Sequence, residues 1–128
     1  MNDKEKRKLA QKLDVRAAEV KRELVDDMRE VRELTTENVL GAVGDPGDDS
    51  LVRNRADLKQ NLARRHASEL AHIEGARERM AEGNYGICEN CGGEIGFPRL
   101  SVQPTAKRCI RCQEQYEKTH VGDGSPSL

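Results

Sequence analysis

The sequence predicts a mainly α-helical protein. A long antiparallel two-helix coiled-coil hairpin precedes a small four-cysteine module that ends in a short C-terminal helix. Three observations carry this. Apolar residues recur at steps of three and four through two long, highly charged segments. A Gly/Pro-broken stretch, GAVGDPGDDS at 41–50, separates them. Four cysteines arrive late in the chain, as two C-x2-C pairs.

Composition agrees. Of the 128 residues, 35% are charged and only 2% aromatic, with no Trp. That is too little bulk for a thick core, and it suits helices that share a narrow apolar seam. The formal net charge is −1, from 22 basic and 23 acidic residues. No overall positive field exists to hold nucleic acid non-specifically. No apolar run approaches the ~20 residues that span a bilayer. The N-terminal MNDKEKRKLAQKLD is charged and no apolar h-region follows it. A soluble, cytoplasmic protein with no membrane partner is expected.

The first helix is read over residues 3–38. Leu9, Leu13, Ala17, Val20, Leu24, Met28, Val31 and Leu34 form its stripe, and most other positions are charged or small. Asn2 can cap its start, with Glu5 three residues on. Gly41, Gly44, Pro46 and Gly47 then end any helix. The second helix runs from about Ser50 to Glu82, with Leu51, Leu58, Leu62, Leu70, Ile73, Ala76 and Met80 as its stripe, His66 in a seam position, and Gly83 as the terminating residue. Neither stripe is wide enough to stabilise a lone helix. Folded back on one another as a monomer, the two are expected to form a rod ~50 Å long at ~1.5 Å per residue; periodicity alone would also permit a helix pair that oligomerises into a bundle. The sequence therefore divides into a hairpin over 1–82 with a tip loop near 41–50, a module with its last helix over 83–120, and a disordered tail over 121–128. The last helix is expected over 106–119, with Thr105 as a candidate N-cap.

The cysteines carry the chemistry. Cys88 and Cys91 (CENC) and Cys109 and Cys112 (CIRC) are separated by 17 residues, giving C-x2-C-x17-C-x2-C. In a reducing compartment that pattern argues for metal over disulfides. A two-residue gap on a tight turn lets both sulfurs reach one ion at ~2.3 Å. Gly92 and Gly93 allow the turn and can aim N–H groups at sulfur. The expected cofactor is one structural Zn2+, making the module a zinc finger; the spacing alone also admits iron bound by four thiolates. A closed site leaves no open position for a substrate. With no paired base and nucleophile and no phosphate loop either, an enzyme is not expected. About 30 residues with almost no core need such a staple. His66 and His72 are not needed as ligands, because no cysteine is missing from the set.

GNYGICENCGGEIGFPRLSVQPTAKRCIRCQ resembles the zinc-finger signature of the DksA/TraR family of bacterial transcription regulators, and the hairpin before it resembles that family's coiled coil. Together they cover nearly the whole chain. The resemblance implies a protein that binds RNA polymerase directly, inserts its coiled-coil tip into the secondary channel and modulates initiation without sequence-specific DNA binding. The family's tip pattern is Asp-x-x-Asp-x-Ala. At the matching distance before Cys88, Asp45 and Asp48 take its acidic positions, and Ser50 replaces the Ala. Arg65 is a candidate polymerase contact. Many members act with the alarmone ppGpp. Positions that are basic in the best-known members correspond here to His72, Gln103 and Gln113, none a permanent cation. Because a polyanion needs charge-assisted contacts, weak or absent ppGpp synergy is expected. The alternative function is a zinc-ribbon nucleic-acid binder using Arg99, Lys107, Arg108 and Arg111, a basic set diluted by Glu89 and Glu94.

Overall fold

The computed structural model describes the backbone of residues 1–40 and 46–120. Four helices follow in order: α1 over Asp3–Leu40, α2 over Pro46–Glu82, α3 over Phe97–Val102 and α4 over Ile110–Thr119. No helix among the described residues is long and apolar enough to cross a membrane. The chain separates into two compact units, Met1–Arg16 with Ala71–Leu128, and Ala17–Leu70.

In the first unit, α1 starts with the expected capping box. The Asn2 N–H donates to Glu5 Oε1 at 3.2 Å, and the Glu5 N–H donates to Asn2 Oδ1 at 2.8 Å. Two otherwise orphaned donors of the first turn are thereby satisfied. Leu9 and Leu13 of α1 are buried, as are Ile73 and Ala76 of α2. Arg77 of α2 donates to Asp14 of α1 at 2.6 Å and to Glu74 at 3.0 Å. Lys12 donates to the Ser101 carbonyl at 2.9 Å, which ties α1 to the end of α3. The six-residue α3 was not expected, because its sequence FPRLSV is too short to show a period; Pro98 in its first turn pre-sets the helical φ. Leu100, on α3, is fully buried.

In the second unit, Ala17 and Val20 are buried, but the seam departs from the sequence reading. Asp27 is only 6% exposed, whereas Met28, assigned to the stripe, is 55% exposed. A strict alternation of four and three from Val20 and Leu24 lands on 27, and one residue further turns a side chain by ~100° about the helix axis. On α2 the same alternation counted back from Ile73 through His66 reaches Lys59, so Lys59 faces Asp27 while Leu58 and Leu51 are exposed. The partners run antiparallel: Glu23 and Asp27 meet His66, and Asp27 and Glu30 meet Lys59.

Three expected boundaries change, the first being that α1 runs on to Leu40 rather than ending at 38. Residues 46–50, read as part of the tip loop, are helical, because α2 starts at Pro46. Proline suits a helix start, where its missing N–H has no intrahelical partner to lose. The last helix starts at Ile110 rather than near 106. Cys109 is its N-cap with extended backbone (φ −68°, ψ 164°), and Thr105 precedes the helix altogether.

Candidate metal centre

The first cysteine pair sits on a knuckle. An isolated antiparallel bridge joins Ile87 and Glu94. Inside it the Cys88 N–H donates to the Gly93 carbonyl at 2.8 Å, and the Gly92 N–H donates back to the Cys88 carbonyl at 3.0 Å. Gly92 takes φ +73°, a conformation that a Cβ would strain. The second pair is held by the start of α4, where the Gln113 N–H donates to the Cys109 carbonyl at 2.9 Å. The Glu89 N–H donates to the Lys107 carbonyl at 2.9 Å and draws the two pairs together.

The four Sγ atoms lie within 4.8 Å of one another, with Cys91 and Cys109 3.8 Å apart. Four sulfurs at ~2.3 Å from one tetrahedral ion are about 3.8 Å from each other, so the set fits a single zinc. Cys88 is buried and the other three lie nearer the surface. The Gly93 N–H donates to Cys91 Sγ at 3.4 Å, as the paired glycines suggested. Burial pushes the Cys88 thiol up, but the backbone N–H groups of Cys91, Cys109 and Asn90 outweigh it and bring it to about 6. Hydrogen bonding to Cys109 and Cys88 pushes the Cys112 thiol up to about 12. The two thiols part for different reasons: backbone N–H groups favour the Cys88 thiolate, whereas its sulfur neighbours hold the proton on Cys112. Held by Cys88, Cys91, Cys109 and Cys112, a zinc ion would neutralise the thiolates and staple the module.

Tyr85 and Arg108 brace the cluster. The Tyr85 side chain is buried and its hydroxyl donates to the Pro104 carbonyl at 2.7 Å. Burial pushes that phenol up to about 12, against the opposing pull of Arg79. Arg108 pairs with Glu89 at 2.8 Å and lies over the Tyr116 ring at 3.9 Å; Tyr116 in turn stacks on His120 at 3.9 Å. Arg99 donates to the Arg108 carbonyl at 3.0 Å. This Glu89–Arg108–Tyr116–His120 stack was missed in sequence, although the opposite charges at 89 and 108, each beside a cysteine, were its visible signal.

Residues 83–118 match the prokaryotic dksA/traR C4-type zinc finger. The segment that carries the four cysteines is thus similar to the DksA/TraR zinc finger. Over 118 residues it is 28% identical to the RNA polymerase-binding transcription factor DksA of Caulobacter vibrioides, spanning 92% of this chain and 80% of that protein. It is 33% identical over 73 residues to the protein of that name from Escherichia coli K12, and 40% identical over 62 residues to an uncharacterized protein of Aquifex aeolicus. Those two matches span 48% and 43% of the respective relatives. Among solved structures, transcription factor DksA2 from Pseudomonas aeruginosa superposes with a TM-score of 0.80 at 28% identity, covering 94% of this chain and 88% of that one.

The DksA/TraR residues singled out in the sequence fall into three groups. The four cysteines converge. Of the tip residues, Asp45 lies outside the described residues, Asp48 is in the first turn of α2 and Ser50 is exposed just after it. Arg65 is exposed on α2. His72, Gln103 and Gln113 are all in the first unit, and none is freely displayed: Gln113 is 6% exposed, with its amide donating to Glu117 at 3.4 Å, and His72 encloses its Nδ1.

Proposed function

We propose that the chain is a bacterial, cytoplasmic, RNA polymerase-binding transcription regulator. In this reading its coiled-coil tip enters the polymerase secondary channel and modulates initiation without sequence-specific recognition of DNA. The observation that carries it is coverage. The likeness to DksA2 extends over 94% of the chain, so helices and zinc finger are shared together and not the finger alone. The Caulobacter relative, named for polymerase binding, matches over nearly the same span.

The tip chemistry rests on Asp45, Asp48 and Ser50. Carboxylate oxygens brought near a catalytic Mg2+ compete for its ligands and redirect its hydrogen bonds. Ser50 places a hydroxyl where the family's pattern has a methyl, and as the fifth residue of α2 it is past the N-cap position. Arg65, exposed on the same helix, is assigned to the wall of the channel. ppGpp has little to hold here: Gln113 is buried, and neither His72 nor Gln103 is a permanent cation. The nucleic-acid alternative loses support from Arg108, whose guanidinium is committed to Glu89 and Tyr116.

The test is transcription in vitro from a stable-RNA promoter, with and without ppGpp. Wild type is expected to change initiation, with less than about a twofold further effect of ppGpp. The Asp45→Asn/Asp48→Asn double variant is expected to compete normally for polymerase core while losing most of that change. A variant as active as wild type would sink the tip assignment; strong ppGpp synergy would sink the alarmone assignment.

A further inference from the structure

A part-buried acid–base cluster around Asp27 in Ala17–Leu70 has no part in the metal centre or the tip. His66, on α2, presents both ring nitrogens to carboxylates of α1: Nδ1 is 2.6 Å from Asp27 Oδ2, and Nε2 is 2.9 Å from Glu23 Oε2. Ionised carboxylates only accept hydrogen bonds, and a neutral imidazole carries a single N–H. Only the doubly protonated ring satisfies both partners at once. Lys59, one heptad before His66 on α2, sits 3.8 Å from Asp27 and 3.0 Å from Glu30. Glu19, Glu23 and Arg32 on α1 and Glu69 on α2 have further contacts of their own. Exposed Arg65 is the cation next to His66 in sequence.

We infer that His66 is a proton-operated clamp between α1 and α2, closing on Glu23 and Asp27 together when the ring is charged and releasing one of them when it is neutral. Histidine is the side chain that changes charge within the physiological pH range. The sign follows from the geometry. At lower pH the cationic ring bridges two anions, and the seam is tighter. At higher pH the single remaining N–H stays with one carboxylate, the cationic charge is gone, and the seam loosens. Asp27 keeps Lys59 in both states, so the helices loosen without separating. The consequence is a hairpin whose stiffness responds to acidification. Nothing in the inference depends on the polymerase reading, and its test uses the protein alone.

The experiment is amide hydrogen exchange on the full zinc-loaded chain at about pH 6 and about pH 8, corrected for intrinsic exchange, read at residues 20–30 and 59–66. Wild-type protection there is expected to be about fivefold higher at the lower pH, the scale of one partly exposed charge-assisted hydrogen bond. In Glu23→Gln the second carboxylate is gone, and in His66→Gln the titrating ring is gone. His66→Gln is expected to show the same protection at the two pH values, and Glu23→Gln, which keeps the His66–Asp27 pair, a clearly smaller ratio than wild type. Far-UV dichroism and zinc content check that they fold; if His66→Gln does not, Glu23→Gln carries the comparison alone. A pH-independent wild type, or a folded variant that keeps the wild-type ratio, overturns the clamp.

Discussion

Replacing Cys88 with serine, or stripping the metal with a chelator, is expected to unfold residues 83–119 as a unit. The module has few other supports. Its buried apolar side chains are Tyr85, Cys88, Ile95, Leu100 and Ala106, and its only ladder is the single Ile87–Glu94 bridge. Small zinc modules draw about 10–16 kcal/mol of apparent binding energy from the ion, and that energy is their folding energy. Amide NMR should report collapse of signal dispersion for the module. Far-UV dichroism should fall far less, because α1 and α2 supply 38 and 37 helical residues. A metal-free protein with dispersed module signals would contradict this.

The same site fixes the sign of a pH effect. Zinc binds thiolates, so loading expels whatever protons the thiols hold. The Cys112 thiol, pushed up to about 12, is protonated at neutral pH without metal, and Cys88, at about 6, gains its proton below that value. Falling pH therefore makes the metal displace more protons, and affinity drops. Zinc transfer to a chromophoric chelator should increase steadily as pH falls from about 8 to about 5.5. Transfer that is flat in pH would mean that the cysteines do not hold the ion as thiolates.

The four-cysteine cluster was legible in sequence because cysteine spacing is local: each pair needs only one tight turn, and two pairs suffice for one ion. The existence of α1 and α2 was equally legible from their period. What periodicity missed came from trusting hydrophobicity over register. Met28 and Leu58 are apolar and drew the stripe toward themselves, whereas the heptad count from Val20 and Ile73 points to Asp27 and Lys59. The charged pair follows the geometry, and the apolar residues sit one position off it. The start of α2 was set late because Gly47 and the acidic run after it read as turn chemistry, although Pro46 is also what a first helical position favours. The stack of Arg108 on Tyr116 joins residues eight apart across the start of α4, a tertiary contact that no single-segment pattern encodes.

That difference in register predicts how unequally the leucines contribute to stability. Leu13 is 2% exposed and sits one heptad before Val20, which is also buried, so Leu13→Ala removes packed methyl groups and leaves a cavity. Such truncations cost about 2–5 kcal/mol. Leu58 appears in the stripe by composition but is 59% exposed, and Leu58→Ala removes a side chain that mostly faces water. Its cost should lie within about 0.5 kcal/mol, the range of ordinary surface substitutions. Urea unfolding of the zinc-loaded protein, followed by the helix signal, separates the two: Leu13→Ala should shift the midpoint strongly at similar slope, and Leu58→Ala hardly at all. Equal shifts would mean that the seam follows hydrophobicity after all and that Leu58, not Lys59, is the inward residue. Asp27→Leu sharpens the comparison. It removes the anion shared by Lys59 and His66, which keep Glu30 and Glu23, and it fills the heptad position with apolar bulk. Asp27→Ala loses the same contacts but leaves the buried position empty, so it should be the less stable of the two variants in the same titration.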